Sequence, residues 1–97
     1  METFFLFGKY TKEALNKIST DRTRKAFGMI QKLGGHVKSA YALLGDEDLV
    51  VIVTLPNLAQ ATLASIALTK LTGISFKTSP AIPVDQFDKL FQKFKSS

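Results

Sequence analysis

Asp46, Glu47 and Asp48 are the densest group of chemistry-bearing side chains in the 97 residues, three consecutive carboxylates directly after Gly45. Adjacent carboxylates can gather a divalent cation. A calcium loop, however, spaces its oxygens at alternate positions over about twelve residues around an internal glycine, and that pattern is absent. No metal is expected, and the cluster reads first as a polar turn. Asp48 stands apart, because it opens an apolar run and shares strand parity with Val50 and Ile52. Sheltered at the mouth of a partly apolar cleft, it would serve as a general base.

His36, the only histidine, is a second candidate, a proton carrier at the start of a strand without the neighbouring ligands a metal site needs. Tyr41 is the third catalytic candidate. Tyr10 and Tyr41 can place hydroxyls at a cleft mouth while their rings pack, the way a tyrosine holds a small polar ligand. Arg22 offers a guanidinium to Asp21, Asp48 or a ligand carboxylate. The ligand-binding candidates are therefore Tyr10, Arg22, Tyr41 and Asp48. Gly34-Gly35 lacks the spacing and lysine of a phosphate loop, and no serine sits in a Gly-x-Ser-x-Gly setting. No cofactor is expected.

These side chains need a frame, and the frame is organised around residues 45–55. After the Gly45–Asp48 reversal, Leu49-Val50-Val51-Ile52-Val53 is apolar at every position and rich in β-branched residues. A half-exposed antiparallel strand alternates apolar and polar residues, so this strand is covered on both faces. Thr3-Phe4-Phe5-Leu6-Phe7, ending at Gly8, has the same character. Thr11 is placed to cap a helix, with Glu13 in its first turn. Leu15, Ile18, Phe27, Ile30 and Leu33 suggest one apolar stripe along that helix, but Ser19-Thr20-Asp21 predicts a kink or restart. Gly34-Gly35 closes it.

His36–Leu44 reads as an edge strand with Val37, Tyr41 and Leu43 on one side and Lys38, Ala40 and Ala42 on the other. Asn57 with Gln60 resembles a capping box, and an Ala- and Leu-rich helix follows over about 58–71. Ile74–Ser79 alternates as a second edge strand, and Pro80 and Pro83 are expected to stop its pairing. A final amphipathic helix over about 84–95 repeats Phe87, Leu90, Phe91 and Phe94 at spacings of three and four.

The order β-α-β-β-α-β plus a terminal helix is the ferredoxin-like α+β arrangement, in which the first and third strands are central. Those are the two uniformly apolar runs. Both helices cover one sheet face, and the terminal helix can hide only part of the other. The expected solution is a homodimer, or a higher homo-oligomer, joined through the sheets as in dimeric α/β-barrels.

Composition bounds the rest. Residues 1–97 are read as a single domain. The absence of cysteine excludes disulfides and thiolate chemistry and fits a reducing, cytoplasmic setting. No apolar run approaches the roughly 18 residues needed to span a membrane, and Met-Glu-Thr at the start carries no basic leader signature. The net charge is +5, and residues 1–38 hold eight Lys or Arg against three carboxylates, while the remainder balances five with five. A basic first helix could attract nucleic acid or an anionic ligand.

Gly8-Lys9-Tyr10-Thr11, Arg22, Gly34-Gly35, Tyr41 and Gly45–Ile52 together resemble the GYD domain family, small prokaryotic proteins of βαββαβ plan, over nearly the whole chain. Where that family shows Gly-x-Tyr-Asp, this chain has Gly45-Asp46-Glu47-Asp48, so the family tyrosine is replaced by a carboxylate. The resemblance implies a fold and self-association but no activity.

Three functions follow as expectations. The first is an oligomeric module holding a small, partly apolar molecule, or serving structure alone. The second is a cofactor-free enzyme, monooxygenase- or isomerase-like by analogy of fold, with Asp48, His36 or Tyr41 as base. The third, RNA binding, draws on the likeness of Phe5-Leu6-Phe7-Gly8 to the strand-one signature of RNA recognition motifs. It is set aside because Leu49–Val53 supplies no stacking aromatic.

Overall fold

The computed structural model describes residues 1–96. Along the chain run β1 (Glu2–Lys9), α1 (Lys12–Asn16), α2 (Thr20–Lys32), β2 (His36–Ala42), β3 (Leu49–Leu55), α3 (Leu58–Thr72), β4 (Ser75–Ala81) and α4 (Val84–Ser96). The four strands form one antiparallel sheet in the order β2-β3-β1-β4. This is the ferredoxin-like arrangement, with the two uniformly apolar strands at its centre.

Alternation along the central strands divides the two faces. Phe4 and Leu6 of β1 and Val51, Val53 and Leu55 of β3 point to the helical face and are buried against Ile30 of α2 and Ala61, Ala64 and Leu68 of α3. The alanines of α3 let its backbone lie close to the sheet. Phe5 and Phe7, paired with Ile52 and Val50, take the opposite face, against which no helix among the described residues packs extensively.

The first crossover breaks where three cap-forming residues interrupt it. The Thr11 hydroxyl accepts the Ala14 N–H to start α1, and the Ser19 hydroxyl accepts the Arg22 N–H to start α2. The break turns α1 away from the stripe read in the sequence. Ala14 is its buried residue, while Leu15 and Ile18 are 53% and 56% exposed; Ile30 is buried and Phe27 and Leu33 pack at the core margin. Asn57 caps α3 as expected, its side-chain oxygen accepting the Gln60 N–H at 2.9 Å.

Three further expectations need correction. β2 ends at Ala42 rather than Leu44, and its pairing with β3 slips between Val37 and Ser39, leaving Lys38 as an extra residue. Such a bulge exchanges the faces beyond it, so Val37 faces the helices while Ser39 and Tyr41, opposite Ile52 and Val50, lie on the open face. β4 continues through Pro80, which pairs with Phe4, because an edge strand tolerates a missing N–H on its free side. Finally, α4 does not fold over the sheet. It makes no extended packing with any other element, none of its residues is buried, and the radius of gyration is 15.1 Å against about 12.5 Å for a compact chain of this length.

Candidate functional site

The candidate residues divide between two regions. Tyr10, Arg22 and Asp48 meet at the rim of the helical face, where β1 passes into α1. His36 pairs with Thr54, and Tyr41, 59% exposed, with Val50, so both belong to the open face. The five residues form no single constellation: Tyr10, Arg22 and Asp48 come together, whereas His36, and Tyr41 beyond the bulge at Lys38, lie apart from them.

Asp48 has a structural use. Its backbone extends the sheet, the N–H donating to the Gly8 carbonyl at 2.9 Å and the carbonyl accepting from Leu43 N–H at 2.8 Å. Its carboxylate, half-buried, accepts the Tyr10 N–H at 2.8 Å. That bond satisfies a backbone donor where β1 leaves the sheet. Replacing Asp48 by alanine is expected to cost about 1–2 kcal/mol of stability, as a lost acceptor leaves that amide unpaired. Asparagine, which keeps an oxygen, should cost less, and urea unfolding midpoints check both.

Arg22 is the pivot of the site. Its guanidinium donates to the Ala14 carbonyl at 2.6 Å and stands 6.0 Å from the centre of the Tyr10 ring. The bond to Ala14 ties α2 to the end of α1 and leaves other guanidinium donors available. Arg24, by contrast, pairs with Asp21, which also meets Lys25 at 3.3 Å. The Arg24 guanidinium, and then Lys25, hold the Asp21 carboxyl below its ordinary value of 3.8. Glu47 meets Lys77 of β4 at 3.3 Å.

Two hollows share Arg22 as a wall. One is a cleft of about 540 Å³ between α1 and the end of α3, with Lys12, Lys17, Arg22 and Lys70 around it and Glu13 as its carboxylate. Glu13 pairs with Lys17 at 3.2 Å, which leaves the cleft a net cationic surface. Its floor is fixed by Thr72, whose buried hydroxyl donates to the Leu68 carbonyl and accepts the Ile74 N–H, and by Thr11, whose hydroxyl donates to the Gly73 carbonyl. The second is a narrow apolar crevice of about 70 Å³ between α2 and the sheet, lined by Phe27, Leu49, Val51, Ile74 and Phe76 with Tyr10 and Arg22. A side chain with free donors thus joins a cationic opening to an apolar slot. Lys12, Lys17 and Lys70 are not marked as site residues by any motif. The first two belong to the basic opening segment, but Lys70 joins them only through the tertiary approach of α3 to α1. No group of three or more His, Cys, Asp or Glu among the described residues could hold a metal.

Fold and site together define a small ferredoxin-like α+β module with a cleft at the rim of its helical face. The chain belongs to the GYD domain family, whose model matches residues 4–91. Its fold is similar to that of the leucine response regulatory protein LrpA of Mycobacterium tuberculosis, at a TM-score of 0.57 and 11% identity, covering 84% of this chain and 51% of that one. It is also similar to an AsnC family transcriptional regulator from Agrobacterium tumefaciens, at a TM-score of 0.55 and 16% identity, covering 84% and 50%. The chain spans about half the length of these structures, and at such identity the likeness is one of fold. No curated protein matches it in sequence. No helix among the described residues is long and apolar enough to cross a membrane.

Proposed function

We propose that the chain is a homo-oligomeric module that binds a small amphiphilic anion, joined to its copies through the open sheet face in the manner of dimeric α/β-barrels. The observation that carries the ligand assignment is the position of Arg22, half-buried between a cationic cleft and an apolar slot. A carboxylate or phosphate meets a fork of donors there, while an aliphatic tail enters between Phe27, Leu49 and Phe76. The fold shared with a leucine response regulatory protein supports the reading, because leucine joins a carboxylate to an aliphatic chain. The enzymatic alternative finds less support, since the Asp48 carboxylate is already engaged by Tyr10.

Octanoate and octanol separate the polar from the apolar contribution. Octanoate is expected to bind by calorimetry and to shift the amide resonances of Arg22, Phe27 and Thr72, with octanol weaker by roughly tenfold or more. Arg22→Gln should remove that preference for the anion. Equal binding of both probes, or octanoate binding unchanged by Arg22→Gln, would overturn the assignment.

A further inference from the structure

We infer that α4 is an arm exchanged between two copies of the chain, each copy's Phe87, Leu90, Phe91 and Phe94 seating on the open sheet face of the other. This rests on the dimer proposed above and adds what that dimer requires. The four residues lie along one side of a thirteen-residue helix, and all are at least half exposed. The Phe87 and Phe91 rings stack at 6.4 Å, and Phe91 and Phe94 follow at 6.3 Å, a continuous aromatic ridge on a helix that packs extensively against no other element among the described residues. Pro83 ends the run from β4 and begins the helix, its carbonyl accepting the Phe87 N–H at 3.0 Å. Only Ile82 and Pro83 separate β4 from α4, and the helix makes no extended packing against the sheet it leaves.

The second uncovered surface is the open face itself, where Phe5, Phe7 and Ile52 lie side by side in register. A chain with two apolar surfaces that cannot reach each other satisfies both by a two-fold operation, in which each copy gives an arm and receives one. Area points the same way. At about 4.8 Å between strands and 3.3 Å per residue, the sheet face has a footprint of roughly 440 Å², about half the 800 Å² per partner that a stable dimer buries. A helix of thirteen residues adds about 200 Å² of footprint, and side-chain relief raises accessible area above footprint, so sheet and arm together reach the required range. Away from that ridge α4 carries Asp85 and Asp88 as well as Lys89, Lys93 and Lys95. Mixed charge suits a protein surface better than an anionic bilayer, which selects a uniformly cationic face.

Light scattering over a concentration series, with hydrogen exchange of α4, tests the exchange. The wild-type chain should be dimeric with α4 amides protected, and dilution to the monomer should release that protection while β1 and β3 stay protected. Phe87→Asp combined with Phe91→Asp should raise the dimer dissociation constant at least roughly hundredfold, with the circular dichroism of the monomer unchanged because α4 contributes nothing to its own core. An unchanged dissociation constant in the double variant would reject the arm and leave the sheet dimer standing. A wild-type monomer with unprotected α4 would reject both. Protection of α4 in the isolated monomer, or tight binding of the arm to anionic vesicles in place of dimerisation, would also overturn the inference.

Discussion

Phe4→Ala is expected to cost about 3–5 kcal/mol, the range for emptying a buried phenylalanine site. Phe4 is 1% exposed, lies between Val53 and Pro80 in the sheet, and packs in the cluster formed with Ile30, Leu55 and Ala64. A chain of this size has roughly 5–15 kcal/mol in all, and each kcal/mol moves the melting temperature by about 4–8 °C. The variant should therefore melt about 12–40 °C lower, or fail to fold at room temperature, at every protein concentration.

Its neighbour Phe5 gives the informative contrast. Phe5 lies on the open face beside Phe7, the ring centres 6.1 Å apart. Phe5→Ala removes the same atoms but leaves no cavity in the single chain, so its effect on the monomer should stay near 1 kcal/mol. In the proposed dimer the loss would become dependent on concentration, since stability would then be linked to association. Thermal melts of both variants at two concentrations separate the faces. A Phe5→Ala midpoint as low as that of Phe4→Ala in dilute solution would mean that the open face is covered within the chain.

That contrast also marks what the sequence could and could not disclose. Consecutive apolar residues at 4–7 and 49–53 mark two strands as more apolar than the other two, and this placed β1 and β3 in the centre. Thr11, Ser19 and Asn57 announced helix starts because the capping chemistry is local. The bulge at Lys38 had no such signal. No glycine or proline marks it, and one unpaired residue is enough to carry Tyr41 to the other face. The Asp48 carboxylate and Tyr10 amide lie 38 positions apart, and nothing in either residue's neighbourhood names the other. Helical periodicity in α4 shows that a face needs covering, but the covering surface depends on where Pro83 aims the helix. The candidate site was legible only in its fragments: Tyr10 and Arg22 were singled out, whereas the union of Lys12, Lys17 and Lys70 around them waits on two helices approaching in space.

Gly35→Ala should be the most damaging substitution that removes nothing. A methyl group at this position would stand 2.3 Å from the Thr54 carbonyl oxygen and 2.5 Å from Leu55 Cδ2. The first of these is backbone in a central strand, so relief requires β2 to move away from β3 just where His36 pairs with Thr54. Overpacking of this kind costs about 1–3 kcal/mol when side chains can give way, and more when a ladder must open. We therefore expect about 3 kcal/mol. Gly34 differs in kind: its φ of +86° lies in the left-handed region, and its nearest obstacle is the Pro56 ring at 3.3 Å. Gly34→Ala should cost about 1–2 kcal/mol through backbone strain alone.

Gly28→Ala supplies the opposite sign. Gly28 lies inside α2, and a methyl group there would meet nothing within 4 Å, so alanine should stabilise the chain by about 0.5–1 kcal/mol through helix propensity. Urea denaturation of the three variants tests the ordering. If Gly35→Ala unfolds at the wild-type midpoint, β2 does not approach β3 at this distance. The position of His36 and the bulge that turns Tyr41 outward would then need to be redrawn, and with them the separation of the cationic cleft from the open sheet face.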